Sequence, residues 1–443
     1  MKLLNTTAAE HISSVIALLN EQANYAVLRN YEGLPDKNKS RDIDIIITKE
    51  SLRKITPHLI RLIDNSGWKI ITYLNSDRLI TFVCAINNGN NTELVQWDFF
   101  VNTSVFGILL MDAKEFLQHK QFNGFLYYVE VDCQFLDKYL YNRAVGSEYP
   151  KKYQSTKEKA QHLPLVNEKL KKVFQVASVE EADRVGGRKL LWRAIAYNIK
   201  KRPWGLTKDV GCFLYTFMRN YVCSNTGFTI GFTGPDGAGK TTVIQLMMHR
   251  LGDVFKTAHV YLHFRPALFG NLGDVAQAAG LKKEVDRNYE QPHRGKKTSK
   301  LSSLLRLVYY TVDYILGYFI KVKVHTRITR LVVFDRYFTD IICDSRRSRI
   351  YLPTNFLYRF AKIFIPSLDY NILLTASTDT ILNRKGELLR EEVEQINNKI
   401  DFLDNKKGYL KVLNETTPDH AVNNILQHVF DSQHRKNLMR LQH

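Results

Sequence analysis

Apolar residues change their period along this chain. Over residues 8–20 and again over 50–65 they recur with helical spacing, while residues 25–30 and 43–48 are short apolar runs of strand type. Residues 79–86 and 93–101 flank Asn87-Asn88-Gly89-Asn90-Asn91, a turn-forming cluster, and predict a hairpin. This pattern describes an α+β domain over residues 1–133. Residues 134–226 carry helical spacing with no clear strand and are read as a helical connector. From residue 227 a βαβ series begins, with strands expected over 228–233, 258–263, 331–334, 370–375 and 409–414. Strands alternating with helices imply a parallel sheet with helices on both faces, so residues 227–443 are expected to be an α/β domain.

Composition narrows the class further. A chain of 443 residues with 44% hydrophobic and 24% charged residues is globular and large enough for several domains. The opening residues, Met1 to Thr7, do not develop the apolar core of a signal peptide. The most apolar window, residues 304–320, holds Arg306 and Asp313, which speaks against a membrane span. Five cysteines, Cys84, Cys133, Cys212, Cys223 and Cys343, have no metal-ligand spacing and suit a reducing cytoplasm. Residues 1–133 are slightly acidic, so the whole of the formal charge of +19 arises beyond residue 133, and it favours anionic partners or a solvated basic face.

Gly234-Pro235-Asp236-Gly237-Ala238-Gly239-Lys240-Thr241 matches the phosphate-binding loop pattern in full and lies between an apolar strand and a helix. Its glycines let consecutive N–H groups converge on phosphates at the positive end of the helix. Lys240 adds a point charge, and the Thr241 hydroxyl can bind Mg²⁺. Gly234, Asp236, Gly237, Ala238, Gly239, Lys240, Thr241 and Thr242 are therefore the candidate ATP contacts. Further on, Leu331-Val332-Val333-Phe334-Asp335-Arg336-Tyr337 ends a strand with an acid and an arginine. Asp335 suits a Mg²⁺ shell and Arg336 a phosphate fork; a loop ion pair is the plainer alternative.

Residues 227–430 resemble thymidylate kinase and related P-loop nucleoside-monophosphate kinases. The resemblance rests on the loop, the Asp335-Arg336-Tyr337 triplet, the helix around Leu307-Val308-Tyr309-Tyr310, and Asn383-Arg384-Lys385-Gly386-Glu387-Leu388-Leu389-Arg390. In that family the last stretch is a lid that closes over the transferred phosphate. With no arginine in the loop, the resemblance implies that the catalytic basic residue lies in the lid, with Arg384, Lys385 and Arg390 as candidates; an exposed charged helix is the alternative. Asp236 corresponds to the family's acidic loop residue, which helps place the acceptor, and Arg265 to its arginine after the second strand. The Glu-Pro-Gly-Gly that should follow is replaced by Pro266-Ala267-Leu268, and Asp340, Asp344, Arg346 and Arg347 replace small residues after Tyr337. A basic insertion at 282–300 adds Pro292-His293-Arg294-Gly295-Lys296-Lys297. The donor side thus keeps the family pattern and the acceptor side departs from it.

The N-terminal third resembles the minimal nucleotidyltransferase fold. Asp42 and Asp44, at i and i+2, share one strand face, and Asp98 lies on a later strand, at the family's metal-binding acidic positions. The usual Gly-Ser is absent, with Leu28-Arg29-Asn30 in its place, so a degenerate domain and an ordinary Asp-rich strand end both remain open.

The sequence reading is an ATP- and Mg²⁺-dependent phosphotransferase, with Lys240, Asp335, Arg336, Arg384 and Arg390 catalytic and Arg265, Arg336 and Asp236 at the acceptor. The acceptor is a nucleoside monophosphate or a sugar or glycan. Nucleotidyl transfer in the N-terminal domain, and nucleotide-gated binding of nucleic acid, are the competing readings. Nucleic acid is the least favoured partner, because basic and aromatic residues do not interleave as in a recognised module. Peripheral membrane contact and self-association stay open.

Overall fold

The computed structural model describes residues 2–3, 6–38, 42–89, 91–222, 226–251, 260–266, 268–269, 299–327, 331–385 and 388–442. The chain divides into two compact units: residues 1–86, 93–224 and 433–443 form one, and residues 87–92 and 225–432 the other. Most of the basic insertion, residues 282–298, lies outside the described residues, as do Arg41, Ala267, Gly386 and Glu387.

The first unit is built on a seven-stranded mixed sheet in the order Lys120–Phe122, Tyr127–Val129, Tyr25–Val27, Asp42–Ile47, Thr92–Phe100, Leu79–Asn87, Lys69–Asn75. Helices Thr6–Gln22 and Lys49–Asn65 supply Ile12, Val15, Ile16 and Leu19, and Leu52, Ile55, Leu59 and Ile63, to one core with these strands. Both sets keep the i, i+3, i+4 spacing of a one-sided helix. Thr48 caps the second helix by accepting a 3.2 Å bond from the Ser51 N–H. Residues 134–222 are helical, but they share a core with what precedes them. Phe135, Leu136, Tyr139 and Leu140 of helix Val131–Ala144 cluster with Val105, Ile108 and Leu110, with Val166 and Leu170, and with Leu190 and Ala194. Apolar residues on helices Val131–Ala144, Pro164–Val173 and Gly187–Lys201 thus bury against the hairpin of Asn102–Val105 and Ile108–Asp112, rather than spacing two domains apart.

The second unit is α/β. Five strands run in the order Val260–His263, Leu331–Asp335, Phe228–Thr233, Tyr370–Thr375, Tyr409–Leu413, and every neighbouring pair is parallel. Helices flank this sheet, as the alternating pattern requires. The central strands Phe228–Thr233 and Leu331–Asp335 are buried throughout, which is why both read as continuous apolar runs rather than as alternation. In chain order the arrangement is 2-3-1-4-5. The connection leaves strand 1 toward one edge and strand 4 toward the other, so a crevice opens beyond their carboxyl ends, where open α/β sheets bind ligands.

Candidate active site

The glycine-rich loop of residues 234–239 leaves the central strand at Thr233 and enters helix Lys240–Leu251. Its glycines have steric causes. A Cβ on Gly234 would overlap the Leu374 carbonyl oxygen, and one on Gly239 would overlap the Asn414 side chain. Gly237 and Gly239 also have φ of +91° and +84°, a region that L side chains rarely enter. Lys240 folds back over the loop and donates to the carbonyls of Gly234 (2.7 Å) and Pro235 (2.8 Å). Burial, together with the nearby Arg336 charge, lowers its ammonium to about 7, although Asp236, Asp340 and Asp335 oppose the shift. Thr241 and Thr242 are exposed at the start of the helix.

Strand register sets Asp335 opposite Phe232, one residue before the loop strand ends. Asp335 Oδ2 accepts from the Tyr261 hydroxyl at 2.8 Å and lies 3.6 Å from His263 Nδ1. Asp335 Oδ1 is buried with no hydrogen-bond partner. Burial opposes ionisation, but the nearby His263 ring, the hydrogen bond from Tyr261 and the charges of Arg336 and Lys240 outweigh it and bring the carboxyl down to about 2. It is therefore an ionised carboxylate with one uncommitted oxygen, which is the donor chemistry a Mg²⁺ ion takes.

Arg336 has φ of +74°, unusual for a residue with a side chain. Its backbone N–H bonds to the Phe232 carbonyl at 2.9 Å, its Nη1 to Asp340 Oδ1 at 2.9 Å and its Nη2 to Asp236 Oδ1 at 2.5 Å. Burial works against its charge, yet Asp340, Asp236 and Asp335 raise its pKa further. Burial also pushes the Asp340 carboxyl up despite Arg336, and its Oδ2 has no partner. Arg347 reaches the other oxygen of Asp236 and lies 3.4 Å from Asp344. The structure therefore gathers Asp236, Lys240, Asp335 and Arg336 into one charged cluster, and adds Asp340 and Arg347 to it.

Arg265 is buried, donates to Asp313 Oδ2 at 3.1 Å and stacks 5.1 Å from the Tyr310 ring. Arg384 donates to the Asn414 carbonyl at 2.8 Å, and Asn414 in turn donates through Nδ2 to the Ala238 carbonyl at 2.9 Å, tying the end of helix Thr378–Arg384 to the loop. Arg390 is exposed and paired with Asp379, at the start of the next helix. Asn414 has no role in the sequence reading, and Arg347 enters it only as a departure from the family pattern after Tyr337, with no partner assigned to it. Asn414 directly follows the fifth strand, at a sheet edge where an uncharged side chain gives no signal. Arg347 belongs to a run of arginines that reads equally well as a solvated surface.

In the first unit, carboxylate oxygens of Asp42, Asp44 and Asp98 lie within 4.8 Å of one another, because register pairs Asp44 with Asp98 on adjacent parallel strands. Asp98 accepts from Thr81 (2.6 Å) and Gln96 (3.0 Å). Arg29 donates to Asp44 at 2.6 Å and to Asp137 at 3.1 Å, and all three side chains are buried. Burial raises the Asp44 carboxyl, with Arg29 opposing. The triad that could hold a cation thus already has a guanidinium on one of its members.

The second unit has the α/β fold of a P-loop protein, with the loop at the carboxyl end of the central parallel strand. No family model and no curated protein matches the chain. Solved structures similar to it include the thymidylate kinase of Ehrlichia chaffeensis, at 15% identity and TM-score 0.32, covering 46% of this chain and 98% of that one. The thymidylate kinase of Candida albicans matches at 15% identity and TM-score 0.33, over 47% of this chain and 93% of that one. A deoxyadenosine kinase of M. mycoides with bound dATP matches at 17% identity and TM-score 0.29, over 46% and 98%.

Proposed function

We propose that the chain is a Mg²⁺-dependent phosphotransferase that moves the γ-phosphoryl group of ATP to a nucleoside monophosphate or to a sugar or glycan acceptor. The observation that carries this reading is the loop itself, with Lys240 folded onto the Gly234 and Pro235 carbonyls at the end of the central strand. Beside it, the ionised Asp335 has an uncommitted oxygen. Phosphoryl transfer asks a protein for positioning and charge neutralisation rather than covalent work. Lys240 and the loop N–H groups hold the β- and γ-phosphates. Thr241 and Asp335 hold Mg²⁺, which when bound neutralises charge on the phosphate oxygens. Arg336 and Arg347, which share Asp236, turn to the acceptor's anionic groups. Arg384, tethered beside the loop, supports the transferring group, and such an arginine can contribute about 10³–10⁵ in rate.

A second reading, nucleotidyl transfer in the first unit, draws on the Asp42, Asp44 and Asp98 cluster. It needs Arg29 to leave Asp44, so it ranks below the first.

The test is ADP release from ATP–Mg²⁺ across a panel of nucleoside monophosphates, sugars and sugar phosphates. Turnover that needs an acceptor and disappears in Lys240→Ala supports the proposal and names the acceptor class. ATP binding with no acceptor-dependent turnover anywhere in the panel contradicts it.

A further inference from the structure

The helices Gly187–Lys201 and Pro203–Val222 turn an unusual face outward. Between residues 185 and 222 the chain has eight basic residues and one acid, Asp209, which is itself paired with Arg202. In the first helix Leu190, Ala194 and Asn198 face the core, and Arg188, Lys189, Trp192, Ile199 and Lys200 are exposed. The second helix is held by Phe213, which meets the Phe106 ring, and by Arg219 and Asn220, which donate to the Asn75 carbonyl. Its opposite side exposes Trp204, Lys208, Leu214, Tyr215 and Met218. Trp204 is 87% exposed, Trp192 70% and Tyr215 66%, far beyond the scattered apolar exposure of an ordinary surface.

We infer that this face docks the protein onto an anionic lipid surface. Lysines and arginines without competing acids complement a negative headgroup layer, and exposed Trp, Tyr, Leu and Met side chains fit the boundary between headgroups and acyl chains. Tryptophan and tyrosine in particular settle at that boundary, since each has an apolar body and one polar atom. Nucleic acid would use the charge but leave Ile199, Leu214 and Met218 in water. Among the described residues no helix is long and apolar enough to cross a membrane, so the contact is one that lies on the surface. The surface belongs wholly to the first unit and does not depend on the proposed phosphotransfer.

Co-sedimentation of the full chain with phosphatidylcholine vesicles, with and without roughly one-third phosphatidylglycerol, tests this. Binding is expected only to the anionic vesicles, weakening as salt rises. The double variant Trp204→Ser/Tyr215→Ser and the triple variant Lys200→Gln/Lys201→Gln/Lys208→Gln should each bind at least about tenfold more weakly. Circular dichroism shows whether each variant is folded, and the two act on different side chains, so misfolding of one leaves the other as the test. A chain that stays in the supernatant with anionic vesicles, or folded variants that bind as well as the parent, overturns the proposal. So does self-association that the Trp204 variant abolishes, or tighter binding to single-stranded RNA than to the vesicles.

Discussion

The chemistry of the loop turns on a few side chains whose states the fold imposes. Burial, with the Arg336 charge beside it, lowers the Lys240 ammonium to about 7. A lysine whose folded value lies below its ordinary 10.5 is protonated more readily when unfolded, so it makes stability rise with pH between about 7 and 10.5. Bound phosphates would restore its charge. Calorimetry of ATP–Mg²⁺ binding at about pH 8, in buffers of different ionisation enthalpy, should therefore report proton uptake, absent in Lys240→Ala. Binding heats independent of buffer would contradict this. Arg336 is the second such residue: its left-handed backbone conformation costs about 1–3 kcal/mol and persists because backbone and side-chain partners hold it on three sides. Strain of that kind is not legible in a sequence, nor is the convergence of Arg347 on Asp236 from 111 positions away.

At the scale of elements, the short tethers between strand ends matter most. Asn414 closes the fifth strand onto the loop through the Ala238 carbonyl. Removing one buried hydrogen bond costs about 1–1.5 kcal/mol, so Asn414→Ala should raise KM for ATP by roughly tenfold with little change in melting temperature. Steady-state kinetics with a thermal melt separates the two effects, and an unchanged KM would show that the tether does not order the loop. In the first unit, Arg29 bridges strand Asp42–Ile47 and helix Val131–Ala144 through Asp44 and Asp137. Arg29→Met leaves two buried carboxylates without their cation and should destabilise that unit by about 3–5 kcal/mol in urea unfolding. A loss below about 1 kcal/mol would mean that the nearby Lys138 ammonium takes over the neutralisation.

These elements also show what was readable beforehand. Strands Phe228–Thr233 and Tyr370–Thr375 coincide with the runs expected from apolar pattern, since a strand covered on both faces cannot hide among polar residues. Helix Lys49–Asn65 declared itself by its one-sided stripe. Strand Lys69–Asn75 did not: its first half is buried and its second half partly exposed, so neither alternation nor a continuous run develops. The hairpin of Asn102–Val105 and Ile108–Asp112 was hidden for a related reason, because helices from residues 131–201 cover it and both of its faces carry mixed residues.

For the whole molecule, the two units carry two clusters of acidic and basic residues, and the turnover proposed above belongs to the one at the loop. Asp42→Asn should leave acceptor-dependent ADP release within about twofold of the parent, whereas Asp335→Asn should lower it by at least about a hundredfold. Equal losses from the two substitutions would mean that the first unit takes part in the same reaction. The most direct measurement follows the label in ATP. Incubated with the acceptor panel, γ-labelled ATP should pass its label to an acceptor while α-labelled ATP yields only labelled ADP. Label from the α position on the acceptor, with pyrophosphate released, would contradict phosphotransfer at the loop and move the chemistry to Asp42, Asp44 and Asp98.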